Sequence, residues 1–219
     1  MKKITLLTML FIFLTGCVST KKMPLDVKIT AKLKNQIVMR TERPVIPDFS
    51  AATVGRVSLG LFGVAAMINE GNEIIRKNNV MDPANAIASS LLEIMQKDLG
   101  ANVSASIVKV YTNDADQLAK ASKGQAAFTL DVETRYWTVG YFSTDWTHYW
   151  VHYIAKARLI EVETGSVVAE GTCNKDSKSD KKPPSYEELQ ENQAAILKQK
   201  LISITNECVK TFKTEMLAL

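Results

Sequence analysis

QAAFTLDVETRYWTVGYFSTDWTHYWVHYIAKARLIEVETGSVVAEGTC, residues 125–173, is the stretch whose reading decides the fold. Phe128, Leu130, Val132, Thr134 and Tyr136 alternate with Thr129, Asp131, Glu133, Arg135 and Trp137. A period of two is the mark of a strand with one face in a core. After a loop expected around Gly140 to Asp145, a second inward set follows: Tyr149, Val151, Tyr153, Ala155, Ala157 and Leu159. Thr164-Gly165 then turns the chain, and Ser166 to Cys173 returns. These signals predict a three-stranded antiparallel meander.

The meander makes two further expectations concrete. A three-residue turn at Glu163-Thr164-Gly165, with Gly165 in the left-handed position, sets Leu159 opposite Ala169, Ala157 opposite Gly171 and Ala155 opposite Cys173. Cys173 then faces inward. If Tyr136 pairs with Tyr149, the outer face sets Trp137 beside His148, Arg135 beside Trp150 and Glu133 beside His152. Those five residues (Arg135, Trp137, His148, Trp150 and His152) form a candidate surface for glycan or protein recognition, because Trp, Tyr and Arg are common contact residues. The ordinary alternative is a set of cross-strand pairs on a solvated or helix-covered face. His148 and His152 share a strand face about 13 Å apart, so one metal ion cannot bridge them, and no metal or other cofactor is expected.

Outward from the meander, Asp26 to Arg40 alternates as well and is expected to be a strand closed off by Pro44 and Pro47. Asp82-Pro83 opens a helix that Gly100 ends, with Ile87, Leu91, Leu92, Ile94, Met95 and Leu99 as its apolar stripe. Val103 to Tyr111 is a further strand, and Asp114 to Ser122 a short helix stopped by Gly124. After the polar segment 174–184, Ser185-Tyr186-Glu187-Glu188 has the form of a capping box. A final long helix follows, with Leu189, Leu197, Leu201, Ile204, Cys208, Phe212 and Met216 on one stripe. The whole is an α+β domain of two layers, with helices on one face of a mostly antiparallel sheet. Its last stripe must pack on the face to which Cys173 points, so Cys173 and Cys208 are expected to form a disulfide.

The amino terminus says where such a bond would form. Lys2 and Lys3 precede an apolar run from Ile4 to Leu14, which as a helix would rise about 16 Å and fall short of a bilayer core about 30 Å thick. Leu14-Thr15-Gly16-Cys17 closes it. This stretch resembles the lipobox of bacterial prolipoproteins. The resemblance implies removal of residues 1–16 as a signal peptide and acylation of Cys17. It also implies anchoring through residues 17–25 as a short tether, with residues 26–219 forming one periplasmic domain. With Val18 after the cysteine, the resemblance further implies the periplasmic face of the outer membrane. In that oxidising compartment, the two remaining cysteines would be joined. The hairpin ARLIEVETGSVVAEGTC is similar to hairpins in the outer-membrane activators of penicillin-binding proteins and in curli-secretion lipoproteins, which bears on architecture alone.

The 219 residues carry 27 Lys and Arg against 23 Asp and Glu, and loss of Lys2 and Lys3 with the signal brings the balance close to neutral. Nucleic acid is therefore not an expected partner. No G-x-S-x-G elbow, H-E-x-x-H pair or phosphate loop is present, so no catalytic residues are assigned. The expected role is a non-catalytic accessory, scaffold or binding component of an envelope assembly. The alternative is a periplasmic hydrolase relying on carboxylates. One stretch stands apart: Ala51 to Ile68, with a single charge at Arg56, is either a buried helix or a segment that docks on lipid or on another subunit.

Overall fold

The meander is the centre of the observed architecture. The computed structural model describes residues 22–219; the lipobox-like motif and the cleavage expected before Cys17 lie outside them. In chain order the elements are α1 (Val27–Leu33), β1 (Ile37–Glu42), β2 (Ser50–Ala52), α2 (Val54–Val57), α3 (Leu61–Asn78) and α4 (Pro83–Leu99). There follow β3 (Asn102–Lys109), α5 (Ala115–Ser122), β4 (Phe128–Phe142), β5 (Asp145–Glu161), β6 (Val167–Asp176) and α6 (Glu191–Glu215). The fold is α+β. Its sheet runs β3-β1-β4-β5-β6, with β2 paired to β4 farther along the edge that β1 uses. Parallel pairing joins β1 to β3 and to β4, and β2 to β4; the antiparallel meander supplies most of the ladder.

Helices α3, α4 and α6 cover one face. Ile87, Leu91 and Met95 of α4 and Leu197, Ile204, Cys208 and Phe212 of α6 are buried against Leu130, Val151, Tyr153, Ala155 and Leu159 of the sheet. Asp82 caps α4 by accepting from the Ala84 N–H at 2.9 Å, and Gly100 ends it at φ 68°, as the sequence predicts. Asp114 caps α5 in the same way, accepting from Gln117. This helix sits on the opposite face of the sheet, where Leu118 and Ala119 pack with Val110 and Ile160 in a small second core.

The β5–β6 hairpin has the expected register: Leu159 faces Ala169, Ala157 faces Gly171 and Ala155 faces Cys173. Gly165 turns it at φ +70°, a conformation that costs an L side chain about 1–2 kcal/mol. Cys173 and Cys208 are joined, with Cα atoms 5.3 Å apart. Ser185 and Glu188 make the reciprocal capping-box bonds, Ser185 N–H to the carboxylate at 2.7 Å and Glu188 N–H to the hydroxyl at 3.2 Å. The final helix is not continuous from there. Asn192, Gln193 and Ala194 are left-handed, so Leu189 reaches the core from a separate turn.

Asp26 to Arg40 is not one strand. Asp26 accepts from the Lys28 N–H at 2.8 Å and starts α1; Asn35 at φ 61° ends that segment, and the strand begins at Ile37. The alternation misled because Val27 projects into solvent and only Leu33 of the helix is buried. Two residues of the expected tether lie on the domain: Met23 bridges to Glu170 of β6, and the Leu25 N–H bonds to the Met216 carbonyl at 2.8 Å.

Candidate functional site

In the first half of β4 the alternation places side chains as expected, with Phe128, Leu130 and Val132 in the core. A bulge between Thr134 and Tyr136 then reverses it. Tyr136 turns outward, opposite Ile154, and Trp137 turns inward, opposite Tyr153. Trp137 is therefore removed from the candidate surface. It is fully buried, set edge-on to Phe49 at 5.0 Å, with its indole N–H donating to the Pro47 carbonyl at 3.0 Å. The β4–β5 register differs accordingly: Tyr149 faces Tyr141, not Tyr136, and His152 faces Thr138.

Trp150 and His152 do stand on the outer face, joined by Tyr136, which sequence reasoning had turned inward. His152 lies edge-on to Tyr136 at 5.6 Å and to Trp150 at 6.1 Å, and its Nε2 pairs with the Asn174 amide oxygen at 2.6 Å. The Trp150 ring lies across Gly140, where a Cβ would come within 2.6 Å of it, and Lys178 covers the ring at 4.3 Å. Its indole N–H is already given to the Tyr141 carbonyl. His148 is separate, at the hairpin tip, with Nδ1 2.5 Å from Asp145. Hydrogen bonds from Thr147 and His148 hold the Asp145 carboxyl down at about 2. Polar groups of Trp150, His152 and His148 are thus engaged by the Tyr141 carbonyl, Asn174 and Asp145.

Arg135 belongs to a different feature. Strand β1 pairs with β4 only over residues 128–130, and β2 only over 138–140. Between them, no described strand pairs with that edge of β4. The connection from Arg43 through Pro44 and Pro47 crosses the gap. Its prolines lack the N–H groups a ladder needs. A cleft of about 450 Å³ opens there, lined by Arg43, Val45, Tyr111, Glu133, Thr134 and Arg135 among others.

Beneath the cleft lies a network of paired charges. Asp131 is buried and accepts from Thr41 at 2.6 Å, Arg43 at 2.9 Å and Arg158 at 2.6 Å. Burial works against its charge, but Arg43, Thr41 and Arg158 outweigh it and hold the carboxyl below the usual range. Glu133 is bridged to Arg43 at 3.5 Å and to Arg135 at 3.1 Å. Arg43 also donates to the Val132 carbonyl at 3.3 Å, occupying a group that a strand neighbour would otherwise take. Above this network the rim is apolar: Tyr111 is 81% exposed and Val45 68%. Pro47 continues the rim into a second hollow containing Ile46 and Met81, and Met81 into a third beside Ile202. Ile46, Met81 and Ile202 are all exposed.

Among the described residues there is no group of three or more side chains able to hold a metal ion, and no helix is long and apolar enough to cross a membrane.

No known family model matches the chain, and no curated protein matches it. Among solved structures, the lipoprotein GNA1162 of Neisseria meningitidis is similar at a TM-score of 0.30 and 11% identity, over 80% of this chain and 98% of that one. The hypothetical protein CT253 of Chlamydia trachomatis gives 0.34 and 10%, over 83% and 97%. The LpoB C-terminal domain of Escherichia coli gives 0.19 and 11%, over 66% and 90%. Likeness at this level carries no functional argument.

Proposed function

We propose that this chain is a lipid-anchored accessory protein of the bacterial envelope, on the periplasmic face of the outer membrane, that works by binding a partner protein and not by catalysis. The location is supported by the charged, short apolar start ending in Leu14-Thr15-Gly16-Cys17 and by the Cys173–Cys208 disulfide, a bond suited to an oxidising compartment. The observation that carries the binding role is the unpaired edge of β4 beneath an exposed apolar rim. An extended segment of a partner can add to such an edge through main-chain bonds while Tyr111 and Val45 receive its side chains. A hydrolytic role is disfavoured by the carboxylates in and beneath the cleft, since Glu133 on its wall and the buried Asp131 behind it are both committed to arginines.

A photo-cross-linking residue at Val45 in the full-length protein tests the proposal in living cells. A discrete adduct with one envelope protein is expected, and Tyr111→Ala with Arg135→Ala should abolish it with little change in thermal stability, since Glu133 keeps Arg43 as its partner. Absence of an adduct, or an adduct indifferent to those changes, would reject the cleft as the binding site.

A further inference from the structure

The stretch Ala51 to Ile68 is not a buried helix. It is anchored by Ala51 in β2 and, just beyond its end, by α3 from Gly71 onward, where Gly71 packs on Phe49 and Ile74 and Ile75 enter the core; Gly63 packs only on Arg56 within the stretch itself. Between them α2 and the start of α3 form a helical tip that stands clear of the domain. Leu61 is 90% exposed and Phe62 89%, and Val57, Leu59 and Val64 are exposed beside them. From Val54 to Asn69 there is no carboxylate, and the one charge, Arg56, is held by Glu70 at 3.1 Å.

We infer that this tip inserts into the lipid surface to which the chain is anchored. Three observations point to a bilayer. The tip is convex, with two side chains projecting almost completely, and a bilayer needs no matching concavity to receive it, whereas a protein partner does. Four backbone N–H groups, those of Ser58, Leu59, Gly60 and Gly63, bond within the tip and lower the cost of leaving water, while the uncapped start of α3 at Leu61 and Phe62 limits insertion to the headgroup and upper acyl level. Trp146, also exposed, projects from the β4–β5 hairpin at the same end of the sheet, with its indole N–H bonded to Ser143. An aromatic ring with a satisfied polar edge suits the headgroup level.

The chain outside the described residues supplies the remaining argument, which rests on the lipid-anchored reading above. The six residue-to-residue steps from Cys17 to Met23 reach about 20 Å at most, so the domain cannot leave the membrane. Met23 docks at Glu170, opposite Arg158, while the tip leaves the sheet at Ala52 beside Gly140, opposite Trp150. From Arg158 to Trp150, β5 advances about 26 Å. Anchor and tip therefore lie at opposite ends of the domain, and both meet one leaflet when the domain lies on its side.

In the full-length acylated chain, with Cys173 and Cys208 joined and Cys17 modified, an introduced cysteine is the free thiol available for labelling. Phe62→Cys carrying a polarity-sensitive dye is reconstituted in vesicles of phosphatidylethanolamine and phosphatidylglycerol containing a lipid-borne quencher. Ala105→Cys, exposed on β3 at the far edge of the sheet, is the control. Emission of the tip label should fall at least about twofold more than the control's, and Leu59→Asp with Leu61→Asp should remove the difference. A label that remains in water, or one quenched by a second labelled copy and not by lipid, overturns the inference while leaving the anchored reading intact. An intact mass without acyl groups overturns the anchored reading, and two-point attachment with it.

Discussion

The two hairpins of the meander share β5, yet one has the register its sequence implies and the other does not. In β5–β6, Ala155 meets Cys173 as expected. In β4–β5, Tyr149 was expected opposite Tyr136 and meets Tyr141. The difference lies in the turns. Gly165 sits at a positive φ that asks for glycine, so the turn can be located from residue type, and the register follows. The Ser143-Thr144 turn contains no such residue, and its definition comes from Asp145 accepting from both the N–H and hydroxyl of Thr147. A bulge at Arg135 then reverses the faces, with no glycine to announce it. A strand's faces can be read only as far as its next irregularity.

The comparison can be tested hardest at Trp137. Trp137→Ala should cost about 3–5 kcal/mol in urea unfolding, as for a large core side chain, while Trp150→Ala should cost no more than about 1.5 kcal/mol. Equal small losses would put both rings on the surface and return the β4–β5 register to the unbulged form. Next comes the disulfide that the well-read hairpin positions. Cys173→Ala with Cys208→Ala releases a loop of 35 residues' separation and should lower stability by about 3–4 kcal/mol in the chain-entropy model, read by the same unfolding curves. A loss below about 1 kcal/mol would mean that α6 holds the 174–184 segment without it.

Gly165→Ala should cost about 1–2 kcal/mol, because the left-handed backbone disfavours a Cβ. That Cβ would also come within 2.3 Å of the Asp116 carboxylate. Thermal denaturation checks it, and a neutral result would show that the turn tolerates another residue type. The smallest effect is at the other turn. Asp145 ionises in the folded protein at about 2, below its ordinary 3.8, so its contribution is present above pH 4 and is lost as pH falls toward 2. The Thr147 amide resonance should follow that titration; a midpoint near 4 would show that the Asp145 bonds do not hold the tip in solution.

Much of the architecture is legible in the sequence. Asp82-Pro83 with Gly100, Asp114 with Gly124, and Ser185 with Glu188 are local signals, completed within a few residues of backbone. The candidate site was less legible. Trp150, His152 and Arg135 are placed outward as expected, but Trp137 is core, and Arg43, Val45 and Tyr111 had no motif to single them out. Pro44 and Pro47 were the available clue, since a connection with two missing N–H groups cannot continue β1 along β4.

By itself the sequence determined the α+β class, the capped helices, the β5–β6 register and the pairing of Cys173 with Cys208, because each depends on residue type at a turn, a cap or a single stripe. Tertiary structure alone decided the rest. That β4 reverses its faces after Thr134, that its edge lies open between β1 and β2, and that Leu61 and Phe62 project unburied depend on how distant segments pack; the Asp26 cap is local, but the alternation that follows it masks the helix. Hydrophobic residues are drawn to apolar surroundings without direction, so their pattern states a preference for burial, while the packing of the whole chain settles which of them obtain it.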